Sequence, residues 1–198
     1  MSGIEVVALV ASAGGLDALG AIVSRLPPEF PAAVLVQQRL GGNGMALVEL
    51  LDRETELDVS WVGLGTRLEP GRVLVCPPGA QLQVSPDGAC SLTATQGNGL
   101  DLPFDALFTS LADSFGERAL GVVLTGRSTD AAAGTRALRA AGATVLAQSE
   151  NSAEHATMPR AAVEAGAAPS LGLEAIARAL LEAAGTPDER ERARQTPG

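Results

Sequence analysis

Residues 5–23 read EVVALVASAGGLDALGAIV, and this stretch decides the fold. Its first part, EVVALVA over 5–11, is a short valine-rich apolar run of the kind that forms a strand covered on both faces. The run ends at Ser12. Ala13, Gly14 and Gly15 follow as a tight turn, and apolar residues then recur at Leu16, Leu19, Ile22, Val23 and Leu26, the spacing of one helix face. Pro27-Pro28 stops that helix. A buried strand that turns through glycines into an amphipathic helix is half of a βαβ unit, so a parallel sheet is expected.

The alternation continues downstream. AVLVQ (33–37) reads as a second buried strand, a glycine-rich loop at 41–44 leads into a helix through Leu47, Leu50 and Leu51, and DVSWV (58–62) and VLVC (73–76) read as two more strands. QLQVS (81–85) and CSLTAT (90–95) alternate polar and apolar about Pro86-Asp87-Gly88, which predicts a β-hairpin, an antiparallel addition with one wet face. A polar loop at 96–103 precedes a helix over about 104–115. The strand ALGVVLT (119–125), a helix through Leu138, a strand over 143–148, a short helix from about Pro159 and a last amphipathic helix over about 173–184 complete the pattern. The expected fold class is α/β: a three-layer, mostly parallel, doubly wound sheet with helices on both faces. Residues 1–185 read as one domain and 186–198, charged and apolar-poor, as a disordered tail.

Composition narrows the function classes. The 198 residues carry a net charge of −9, which argues against a nucleic-acid or anionic-membrane partner. All fourteen basic residues are arginine, so neither a phosphate-binding P-loop nor a Schiff-base lysine is present. Cys76 and Cys90 are too few for a zinc cluster or disulfide scaffold, and His155 is the single histidine, so no metal or other cofactor is expected. No apolar run is long enough to span a membrane, and the N-terminus lacks the basic start of a secretory signal, so membrane insertion is not expected and a cytoplasmic location is.

In doubly wound sheets the site lies beyond the carboxyl ends of the strands. That places Ser12, Gln37, Gln38 and the 125–130 and 148–158 loops together. A dinucleotide site fails on detail, because the G-x-G-x-x-G spacing is absent and the second strand ends on glutamines rather than an acid.

Six segments, in order, carry a family resemblance: VASAGG (10–15), LVQQ (35–38), PGRVLVCPPGAQLQV (70–84), PFDALF (103–108), LTGRSTDAAAG (124–134) and AQSENSAEHATMPRAAVEAG (147–166). They resemble GASTGG, VVQH, PG-x-V-x-x-APGGxHLxV, PS-x-D-x-LF, LTGMGxDGAxG and AQDExSSVVYGMPRAAIEAG of the CheB-type chemotaxis methylesterases. The resemblance implies a catalytic domain that hydrolyses glutamyl methyl esters on chemoreceptors with a cofactor-free Ser-His-Asp triad. A serine hydroxyl needs a base for its proton, and the base needs an orienting carboxylate. On this chain the nucleophile falls on Ser12 and the aspartate on Asp130. The histidine falls on Gln38, whose amide is neither acid nor base. Ala13, Gly14, Gln37, Arg127 and Met158 are expected to line the remaining pocket.

Each position has a second reading. Ser12 would also serve as a helix N-cap, and Asp130 as the cap of the helix that follows it. His155 is either a repositioned base or a solvated loop histidine beside Glu154. Arg127 is either a holder of carboxylate or phosphate or a surface arginine. Three functions follow: a hydrolase rescued by a new base, a catalytically silent module that binds a methylated receptor or another signalling protein, and a small-ligand binder using Arg127. The family usually carries a receiver domain before the catalytic domain. This chain begins almost at the first catalytic strand, so control by phosphorylation within the chain is not expected.

Overall fold

A computed structural model describes residues 3–39, 46–96 and 101–185. The 41–44 loop, part of the 96–103 loop and the 186–198 tail discussed above lie outside those residues. Nine strands are described: β1 (Val6–Ala11), β2 (Ala33–Gln38), β3 (Asp58–Trp61), β4 (Arg72–Val75), β5 (Ala80–Val84), β6 (Cys90–Ala94), β7 (Ala119–Val123), β8 (Thr144–Gln148) and β9 (Ser170–Leu171). The helices are α1 (Gly15–Val23), α2 (Leu47–Glu54), α3 (Pro103–Phe115), α4 (Ala132–Ala140), α5 (Thr157–Glu164) and α6 (Leu173–Ala184).

Seven strands form one sheet in the order β3-β4-β2-β1-β7-β8-β9, and every pairing in it is parallel. All six residues of β1 are buried. Strand period divides them between two cores: Val7, Leu9 and Ala11 face α1, α2 and α6, while Val6, Ala8 and Val10 face α3, α4 and α5. On α1 the buried residues are Gly15, Ala18, Leu19, Ile22 and Val23, a continuous 3.6-period stripe. The three-layer, doubly wound reading therefore holds.

The expected hairpin, β5-β6, is present as a separate antiparallel two-stranded sheet. Leu82 and Val84 belong to the core that contains α3, and Ser110 and Ser114 of α3 bond the Val84 backbone. Strand β9 had no sequence signal, because two residues are too few to show a period.

From β1 the chain winds outward through β2 and then returns to β7 on the other side of β1. The switch point therefore lies between β1 and β7, and the crevice there opens between Ser12 and the 125–130 loop.

Candidate active site

The β1 backbone runs past Ala11 into a turn tied down on both sides. Ser12 N donates to Thr125 O at 2.9 Å, and Gly15 N donates to Ser12 O at 2.9 Å. Gly14 takes φ +75° as the N-cap of α1, a left-handed conformation that glycine adopts without penalty. Ser12 is therefore not the cap of α1, because the turn places two residues between it and the helix. Thr125 is a hub that the motif comparison did not single out. Its Oγ1 donates to Ala13 O at 3.0 Å and accepts from His155 N at 2.9 Å, while its N–H donates to Gln148 Oε1 at 2.8 Å. These bonds lash the 148–158 loop to the serine turn. Met158 is fully buried, and a Cβ on Gly126 would lie 2.8 Å from Met158 Sδ and 3.1 Å from Ser12 Cβ. Ser12, Ala13, Gly14, Gln38, Thr125 and Met158 are thus brought together as the topology requires.

Gln38 pairs in register with Ala11, one residue before Ser12. Its Nε2 donates weakly, at 3.5 Å, to the backbone oxygen of Ser12 rather than to the hydroxyl. Gln37 Nε2 donates to Ala80 O at 3.3 Å. The amide oxygens of both glutamines are buried and accept no hydrogen bond from the described residues, and each such orphan costs about 1–3 kcal/mol. A cavity of about 280 Å³ opens beside Gln37, Gln38, Arg39 and Phe104. Ser12 does not line it.

Asp130 has no exposed side-chain surface. It accepts from Phe104 N at 3.2 Å, Asp105 N at 3.0 Å and Ala131 N at 2.9 Å. It is thus a helix cap, but of α3, not of the helix that follows it. The exchange is reciprocal: Asp105 Oδ1 accepts from Gly134 N in the first turn of α4 at 2.6 Å. Arg39 completes the arrangement, with Nη2 2.9 Å from Asp130 Oδ2 and its guanidinium 5.5 Å from the centre of the Phe104 ring. Burial pushes the Asp130 carboxyl above its usual pKa and nearby Asp105 adds to this, while the backbone donors of Asp105 and Phe104 and the Arg39 charge pull the other way. Arg39 follows Gln38 directly, yet no local pattern marks it, because its partner is 91 residues away.

His155 does touch Glu154, with Nε2 3.2 Å from Oε1, but its side chain is only 23% exposed and is not simply solvated. The same Nε2 lies 3.2 Å from Arg127 Nε and 3.0 Å from Arg127 Nη2. Arg127 is thus engaged by His155. Among the described residues no hydrogen bond joins the Ser12 hydroxyl to Gln38, Asp130 or His155, and no three metal-ligating side chains cluster. No described helix is long and apolar enough to cross a membrane.

The family model for CheB methylesterase matches residues 7–180. The chain belongs to the CheB methylesterase family. The crystal structure of the Thermotoga maritima CheB methylesterase catalytic domain superposes on this CheB-family fold with a TM-score of 0.83 at 27% identity, covering 92% of this chain and 99% of that one. A protein-glutamate methylesterase/protein-glutamine glutaminase of Moorella thermoacetica is 39% identical over 186 residues, which is 90% of this chain and 44% of the relative. A Pseudomonas aeruginosa protein of the same description, numbered 2, is 40% identical over 185 residues, 91% of this chain and 53% of that one. FrzG, a protein-glutamate methylesterase of Myxococcus xanthus, is 37% identical over 179 residues, with 89% and 54% covered. This CheB-family chain thus spans about half the length of the curated relatives it matches.

Proposed function

We propose that this CheB-family domain binds glutamyl side chains of a chemoreceptor or related signalling protein and hydrolyses their methyl esters very slowly or not at all. The observation that carries this reading is the surroundings of Ser12. Its hydroxyl meets no proton acceptor among the described residues, since Gln38 offers an amide and directs it to the Ser12 backbone. Asp130 supports the same conclusion, because its carboxylate is committed to the first turn of α3 and to Arg39. Loss of a triad member removes on the order of 10⁴–10⁶ in rate, leaving what donors near the α1 N-terminus supply. The rescue by His155 is not favoured, since its Nε2 accepts from Arg127 and lies beside Glu154 rather than bonding Ser12. The small-ligand reading is not favoured either: an anion at Arg127 would have to displace His155 and face Glu154.

Intact-mass analysis after exposure to a fluorophosphonate tests the reading. The folded native chain is expected to stay unlabelled, as are Ser12→Ala and His155→Ala. Gln38→His combined with Arg39→Ala returns an imidazole and releases Asp130, and is expected to label at Ser12. An adduct on the native chain that Ser12→Ala abolishes would overturn the silent-site reading, and its loss in His155→Ala would identify the base.

A further inference from the structure

Three departures from the family pattern converge at one point. Arg127, Glu154 and His155 stand where the motifs carry uncharged residues, and all three meet at the His155 Nε2. The Glu154 side chain lies against the serine turn: a Cβ on Gly14 would sit 2.6 Å from Glu154 Oε2 and 2.9 Å from Glu154 Cβ. The backbone holds the carboxylate there, because His155 N bonds Thr125 Oγ1 and Thr125 Oγ1 bonds Ala13 O. A negative charge, on a side chain that is 64% exposed and across the His155 ring from Arg127, therefore stands beside Gly14, the N-cap of α1, two residues from Ser12.

Any side chain that reaches toward Ser12 passes into the field of this carboxylate. A neutral group passes without penalty. An incoming carboxylate is repelled, and like charges about 5 Å apart in a solvated cleft shift binding by roughly threefold to tenfold at low ionic strength. We propose that Glu154 is the specificity-determining residue of the cleft, which admits a neutral glutamyl side chain, as methyl ester or carboxamide, and turns away the free glutamate. The inference rests on the reading that the cleft binds glutamyl side chains. Arg127 donates to the His155 ring, and Glu154 is the charged side chain that lies against the serine turn.

The test uses three alanine-rich helical peptides that differ at one central residue: γ-methyl glutamate, glutamine or glutamate. Each is titrated calorimetrically into the native chain, Glu154→Gln and Glu150→Gln. Glu150 is a charge-matched control on the same loop whose carboxylate pairs with Arg160. At low ionic strength the native chain is expected to prefer the ester and glutamine peptides by roughly threefold to tenfold, with Glu154→Gln bringing that ratio to about one. Glu150→Gln is expected to preserve the preference. Equal binding of the glutamate peptide by the native chain overturns the inference alone. So does a preference that survives Glu154→Gln, or one that Glu150→Gln erases equally. Failure of the native chain to bind any of the three peptides overturns the binding reading itself, and the inference with it.

Discussion

Replacing Asp130 by alanine separates a structural carboxylate from a catalytic one. Two α3 donors, the N–H groups of Phe104 and Asp105, and the N–H of Ala131 lose their acceptor. Phe104 and Ala131 are fully buried, so water cannot replace the carboxylate there. Losing the cap costs about 1–2 kcal/mol, and a stranded buried N–H adds about 1–3 kcal/mol. Removing a desolvated charge that also repels Asp105 returns about 1 kcal/mol. Asp130→Ala is therefore expected to destabilise the fold by about 3 kcal/mol, or roughly 6–12 °C in Tm for a chain of this size. Arg39→Ala is expected to cost under about 1 kcal/mol, because its side chain is 41% exposed and water entering the space it leaves can reach the Asp130 carboxyl. Urea denaturation of native, Asp130→Ala, Asp130→Asn and Arg39→Ala chains gives the comparison, with Asn intermediate because one amide oxygen can serve part of the donor set. The pH profile has a defined sign. The folded carboxyl has a pKa raised above its unfolded value, so its contribution is complete below the unfolded pKa and declines as pH rises through the folded one. The native chain's advantage over Asp130→Ala should thus be larger near pH 4 than at pH 7. A cost below about 1 kcal/mol for Asp130→Ala, or an Arg39→Ala cost that equals it, would refute the capping argument.

Gly134→Ala should destabilise despite alanine's helix advantage of about 1 kcal/mol. The new Cβ would sit 2.6 Å from Phe108 Cβ and 3.0 Å from Asp105 Cα, forcing α3 and α4 apart at a net loss of about 2 kcal/mol by denaturant titration. Burial pushes the Cys76 thiol up to about 12 and the Cys90 thiol up to about 11. Neither is expected to react with iodoacetamide at pH 8 in the folded chain, while both alkylate once it is unfolded. Their contribution to stability is whole below the free-thiol pKa and is lost only as pH rises through those values.

Most strands and helices were legible because apolar period reports burial directly, as the alternate partition of Val6–Ala11 between two cores shows. The place of the site was legible too, since a parallel sheet puts Ser12 and the 125–130 loop at one switch point. Other features were not. The capping alternative for Ser12 falls because the turn puts Gly14 at that position, and the capping alternative for Asp130 applies to α3 rather than to the helix that follows it. Both outcomes share a cause: capping preference is local, whereas the bond that satisfies it depends on which helix ends meet in space. The Arg39–Asp130 pair, the Thr125 hub and the contact of Glu154 with Gly14 are likewise joined across loops, where no spacing rule applies. The separate hairpin has the same alternation as an added strand would, and only its packing on α3 distinguishes the two.

The exchange of carboxylates between α3 and α4 bears on how the chain comes apart. Asp130 precedes α4 but completes α3, and Asp105 lies in α3 but completes α4, with β7 between them in sequence. Neither helix has its first turn satisfied until the other is docked. Fraying one end therefore exposes donors on both, so the two helices should exchange their amide hydrogens as one cooperative unit rather than as two independent ones.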